Sequence, residues 1–224
     1  MKTTRKLVLV SAATLLALSI AGQALAATPT FSDIANSTAK KEIQSLQERG
    51  FVAGYNVLEF RPEQILTTAE GTSMITNTLQ LSLAAISFIK APVASEIFKN
   101  VKDDVWYSEA FINAHYNDVQ LPADLNPAAP LTREQFTAYL MQGLEKAGNF
   151  PMVKLSPQPI ADEADIDPIY QGGIQRSLFY KVNILGADTK FEPKKAITRA
   201  EAAIMAFRAR EVLEAQLANP VPAE

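Results

Sequence analysis

Arg133 and Arg199 are the side chains whose placement most invites a chemical reading. Each follows a threonine that opens a Thr-x-x-Gln or Thr-x-x-Glu block, Thr132 with Gln135 and Thr198 with Glu201, which puts each arginine in the first turn of a helix. A positive charge there opposes the helix macrodipole, so propensity does not explain it. Ligand binding would explain it, and so would an ion pair inside the protein. Thr132, Thr198 and Glu201 have a structural explanation of their own, because a capping box uses the hydroxyl and the acid or amide to satisfy the first amides of a helix. Arg199 has no capping duty, and its loss is expected to spare stability. Trp106, the single tryptophan, follows Asp103-Asp104-Val105 at a helix start, where a large aromatic commonly serves as a packing staple.

Much other chemistry is excluded. The chain has no cysteine and one histidine, His115, which removes disulfides, thiolate metal sites, cysteine nucleophiles and His-His metal pairs. There is no G-x-S-x-G, H-E-x-x-H, phosphate loop or G-x-G-x-x-G. Glu163 to Asp167 alternates like the first ligands of a calcium loop, but Pro168 stands where that loop needs Gly and Ile174 where it needs a bidentate Glu. No metal and no cofactor are expected. Carboxylate pairs for glycoside hydrolysis are defined by separation in space, on which sequence is silent.

The elements that position these residues come from a repeat. Phe60-Arg61-Pro62-Glu63-Gln64-Ile65-Leu66-Thr67-Thr68-Ala69-Glu70 recurs without gaps from Leu125 to Gln135 and from Phe191 to Glu201, so that Pro and Thr return at intervals of 65 and 66 residues. A looser block precedes each: Phe31-Ser32-Asp33-Ile34, Phe98-Lys99-Asn100-Val101 and Ile160-Ala161-Asp162, each leading into a short helical stretch. With Thr38, Trp106 and Ile169 taken as equivalent, the distances to the following Thr are 29, 26 and 29 residues. Each copy reads as helix, loop, helix. Ile43 and Leu46 give the first helix its apolar stripe, and Gly50 supplies a left-handed stop. Three capping boxes in register start the second helices, and Leu79 to Ile89 reads as the buried end of the first of them. Nothing alternates with period two, so the chain reads as all-α. One helix pair cannot bury its own apolar face, so three copies are expected to form one cooperative domain.

Lys2, Arg5 and Lys6, an apolar stretch from Leu7 to Ile20 and Ala24-Leu25-Ala26 form a signal-peptide pattern over residues 1–26. The apolar stretch is short for a bilayer span, so an exported protein without a membrane anchor is expected. The full chain carries 21 Lys and Arg against 24 Asp and Glu; loss of those three cations takes its net charge from −3 to −6. That balance argues against nucleic acid. An anionic partner would have to be held by a few placed cations.

These motifs resemble the S-layer homology module, whose repeat reads F-x-D-[VI], a Trp-Ala helix, a Gly-Tyr loop, F-x-P and then [IL]-T-R-A-E. Ile197-Thr198-Arg199-Ala200-Glu201 is complete, Leu131-Thr132-Arg133-Glu134-Gln135 is partial, and Leu66-Thr67-Thr68-Ala69-Glu70 has Thr68 in place of Arg. The likeness runs from residue 31 to about 212, as repeats at 31–90, 98–146 and 160–212, with 213–224 as a short tail. It implies three helix-loop-helix repeats in a pseudo-threefold spindle around a central helical bundle. It also implies a non-catalytic anchor on the bacterial cell wall or S-layer. The implied ligand is anionic secondary cell-wall polysaccharide, often pyruvylated, whose carboxylate a guanidinium grips bidentately. Arg199, Arg133, Trp106, Thr198, Glu201 and Thr132 are the implied carbohydrate-binding residues, with unpaired helix-start amides beside them and Trp106 offering a face to a sugar ring. With Trp present once and Arg missing from the first block, at most two grooves are fully equipped. The alternative is a surface protein-interaction or assembly module with decayed sugar sites.

Overall fold

A computed structural model describes residues 30–151 and 154–220; the signal-peptide pattern of residues 1–26 lies outside them. The described residues form seven α-helices: α1 (Lys40–Glu48), α2 (Thr68–Leu79), α3 (Ala94–Ile97), α4 (Ser108–Tyr116), α5 (Arg133–Gly148), α6 (Pro168–Phe179) and α7 (Arg199–Ala218). They contain no strand, only isolated antiparallel bridges, so the fold is all-α as the periodicity indicates. Each of α2, α5 and α7 begins with a complete capping box, on Thr67 and Glu70, Thr132 and Gln135, and Thr198 and Glu201. Gly50 closes α1 at φ 72°, and the Phe51 amide reaches back to the Leu46 carbonyl at 2.8 Å.

The three capped helices pack on one another, and each takes its outer partner from outside its own repeat: α4 lies on α2, α6 on α5, and α1, from the first repeat, on α7. The helices of one sequence repeat are therefore not each other's main partners. Leu66, Leu131 and Ile197, at equivalent repeat positions, are all buried and joined in a closed ring. The Leu66 amide donates to the Ile197 carbonyl at 2.9 Å, Ile197 to Leu131 at 3.0 Å, and Leu131 to Leu66 at 3.0 Å. Phe60, Phe136, Leu140 and Leu144 fill the core around that ring.

One sequence expectation gives way. α2 ends at Leu79, where Gln80 adopts a left-handed conformation, and beyond Leu81 the chain turns outward to leave Ile86 and Ile89 exposed. The apolar run from Leu79 to Ile89 is thus not a buried helix end. α7 continues through the buried Leu213 to Ala218.

Candidate functional site

The capping boxes leave nothing open at the helix starts. The first amide of α2, Thr68, donates to Ala129 O and the second, Ala69, to Pro127 O, both at 2.9 Å. Arg133 and Glu134 of α5 bond Lys195 O and Pro193 O in the same way, and Arg199 and Ala200 of α7 bond Gln64 O and Pro62 O. The third amide is taken by the capping threonine and the fourth by its carbonyl. The unpaired helix-start amides implied by the family resemblance are therefore absent, because the Pro-containing loop of a neighbouring copy occupies them. Any anion must be held by side chains.

The loops are themselves clamped. The Asp33 carboxylate accepts from the Phe60 and Arg61 amides at 3.0 and 2.6 Å, and Asp162 accepts from Phe191 and Glu192 at 2.8 Å each. Burial works to raise the Asp162 pKa, but these amide bonds prevail and hold it below its ordinary value. Arg61 and Glu192 adopt φ 60° and 57° under this grip. In the middle copy Asn100 stands in place of Asp and donates instead to Asp124 O and Leu125 O.

Arg199 lies at the crossing of α7 with the first loop and is only 6% exposed. Its Nε donates to Phe60 O at 2.9 Å and its Nη2 to Ala53 O at 3.1 Å, while the guanidinium sits over the rings of Phe60 and Tyr55. Nη1 is 3.7 Å from Glu70 Oε1, beyond hydrogen-bonding reach. Burial lowers the Arg199 pKa from its ordinary value, with Glu70, Tyr55 and Asp33 acting against that shift. Tyr55 donates its hydroxyl to Glu70 and accepts from Gln64. Gly54 lets this loop close: a Cβ there would stand 2.4 Å from Glu59 O and 2.6 Å from Asn56 O.

Arg199 and Trp106 line the same groove, of about 540 Å³, together with Tyr55, Glu70, Asn77, Glu109 and Asn113. Trp106 is 69% exposed and touches Tyr107 edge-on, so it is no packing staple. Its counterpart Ile169 is 75% exposed and Thr38 is exposed as well. The groove thus combines one buried cation, two aromatic faces and a rim of carboxylate and amide groups. Tyr55, Glu70, Asn77, Glu109 and Asn113 are the members sequence reasoning passed over, although the Gly54-Tyr55 pair was a visible signal.

Arg133 lies elsewhere. Its Nη2 donates to Glu201 Oε1 at 2.6 Å and stands 3.7 Å from Glu192 Oε2, and its buried Nε has no partner. Burial works to raise the Glu201 pKa, but the Thr198 amide, Lys195 and Arg133 hold it below the ordinary glutamate value. Thr132 and Thr198 serve as caps, so the six residues named from sequence do not form one cluster. The pairing across copies has its own logic. Arg199 meets Glu70 and Arg133 meets Glu201, whereas the first copy has Thr68 in place of the arginine and the second has Gln135 in place of the carboxylate.

An all-α protein built on interlocked capped helices, with a cation and aromatic faces lining a groove between α2 and α4, has the make-up of a binding module. The S-layer homology domain model matches residues 30–70 and 185–203, and the chain is an S-layer homology domain protein. It is 30% identical over 183 residues to an amylopullulanase of Thermoanaerobacterium thermosulfurigenes and 28% identical over 183 residues to the exoglucanase XynX of Acetivibrio thermocellus. It is also 26% identical over 184 residues to a surface-layer 125 kDa protein of Lysinibacillus sphaericus. These alignments take in 80%, 80% and 79% of this chain but only 9%, 16% and 14% of those relatives.

Proposed function

We propose that this protein is a non-catalytic anchor of the bacterial cell surface, which recognises anionic, pyruvylated secondary cell-wall polysaccharide through the groove between α2 and α4. A pseudo-threefold spindle is part of that reading, supported by the ring through Leu66, Leu131 and Ile197 and by the cyclic succession of helix partners. The observation that carries the proposal is the meeting of Arg199 with Trp106 in one groove, although 93 positions separate them in the chain. In this reading Nη1 of Arg199 meets the ligand carboxylate, the Trp106 and Tyr55 rings cover sugar faces, and Asn77 and Asn113 bond hydroxyls. The kinship with a surface-layer protein and with polysaccharide-degrading enzymes supports a surface role.

Trp106→Ala tests this directly in a binding isotherm with purified wall polymer. Covering roughly 50 Å² of indole at about 25 cal/mol per Å² contributes about 1.3 kcal/mol, close to tenfold in affinity. The ring is exposed, so the melting curve should stay within about 0.5 kcal/mol of the parent. Undiminished affinity would remove the groove from the ligand site. The second reading, a protein-assembly module, is favoured by one observation: the third copy presents the aliphatic Ile169 where the second presents Trp106.

A further inference from the structure

Among the positions at which the Arg133 site differs from the Arg199 groove, one reverses the charge. The residue held in the left-handed conformation by the aspartate clamp is Arg61 beside Arg199 but Glu192 beside Arg133. Arg61 lies over Tyr55 and pairs with Glu59 at 3.0 Å, which adds a cation to the first site. Glu192 instead places its carboxylate 3.7 Å from Arg133 Nη2 and 3.6 Å from Lys195 Nζ.

We propose that Glu192 holds the ligand-carboxylate position of a second anion site formed by Arg133 and Lys195, so that this site is closed by the protein's own side chain. The inference rests on the carboxylate recognition proposed above. Three observations carry it. The carboxylate sits between two cations, the position a ligand carboxylate would take. Its backbone is fixed by the Asp162 clamp, which holds the residue beside the two cations. Arg133 Nε is a buried donor without a partner, whereas its counterpart on Arg199 is satisfied by Phe60 O. Glu201 already engages Arg133 Nη2 and Lys195 Nζ, so a ligand would approach from the side of Glu192, which is 54% exposed and open to displacement. The protein then has one open anion site and one self-occupied site, which sets how many carboxylates of a polymer it takes at once.

Titration calorimetry of the full chain with the methyl glycoside of a 4,6-O-pyruvylated N-acetylhexosamine tests the inference. The parent is expected to show one strong equivalent. Glu192→Gln should add a second event, tighter by on the order of tenfold than any second event of the parent, since a like charge near the site is removed. The remote Glu48→Gln, with the same change in net charge, should add none, and Arg133→Gln in the Glu192→Gln background should abolish the gain. A Glu192→Gln titration that superimposes on the parent, in a variant with an unchanged melt, overturns the inference while a strong first event leaves the Arg199 groove standing. A parent without a strong event, with Glu192→Gln gaining one, does the reverse. Absence of binding by both proteins overturns the two together.

Discussion

Arg199→Ala is expected to lower stability by about 3 kcal/mol, in the range for breaking a buried, hydrogen-bonded charge. The guanidinium gives charge-assisted bonds to Phe60 O and Ala53 O and fills the space between the Phe60 and Tyr55 rings. Without it two carbonyls of the first loop lose their donor, Glu70 loses its neighbouring cation, and the loop that carries Tyr55 is released from α7. Arg199→Lys keeps the charge but cannot reach both carbonyls with one ammonium, so it should recover less than half of the loss. This corrects the expectation, from the absence of a capping duty, that the arginine is dispensable to the fold. Denaturant midpoints at constant m decide the matter; a change below about 0.5 kcal/mol for Arg199→Ala, the range of ordinary surface substitutions, would contradict the buried geometry. Affinity must then be compared under conditions where the variant is folded, because loop release alone would empty the groove.

Removal of residues 160–224 should leave a chain with no cooperative unfolding transition. That segment supplies α7, on which α1 packs, and α6, which covers α5. It also supplies Ile197, which both donates and accepts in the central ring, and the Arg199 and Ala200 amides that fix Gln64 and Pro62. Burial of Ile174, Leu178, Ile197, Met205 and Leu213, at roughly 2 kcal/mol each, is about 10 kcal/mol. That equals the whole net stability of an ordinary domain, about 5–15 kcal/mol. A truncated protein that melts cooperatively near the parent temperature would show that the first two copies fold by themselves.

What the sequence revealed and what it hid divide along the range of the interactions. The capping boxes and the Gly50 stop are local devices, complete within a few residues, and each stands where the pattern put it. The recurring Pro62, Pro127 and Pro193 were visible as punctuation, but their carbonyls serve helices of other copies. A single repeat says nothing about which copy is its neighbour. The same non-local succession buries Arg199, whose first-turn position left its partner open, and places it in one groove with Tyr55 and Trp106. The end of α2 was missed for a different reason. Apolar content from Leu79 onward suggested continuation, whereas the left-handed Gln80 stops the helix without the glycine that usually signals it.

Sedimentation of the protein with purified cell walls, before and after removal of the secondary polymer, is the most direct test of the proposed anchoring role. Binding to walls that carry the intact polymer, lost when the polymer is removed, is the result the groove of Arg199, Tyr55 and Trp106 predicts. Equal binding to bare peptidoglycan, or retention only through another surface protein, would contradict it.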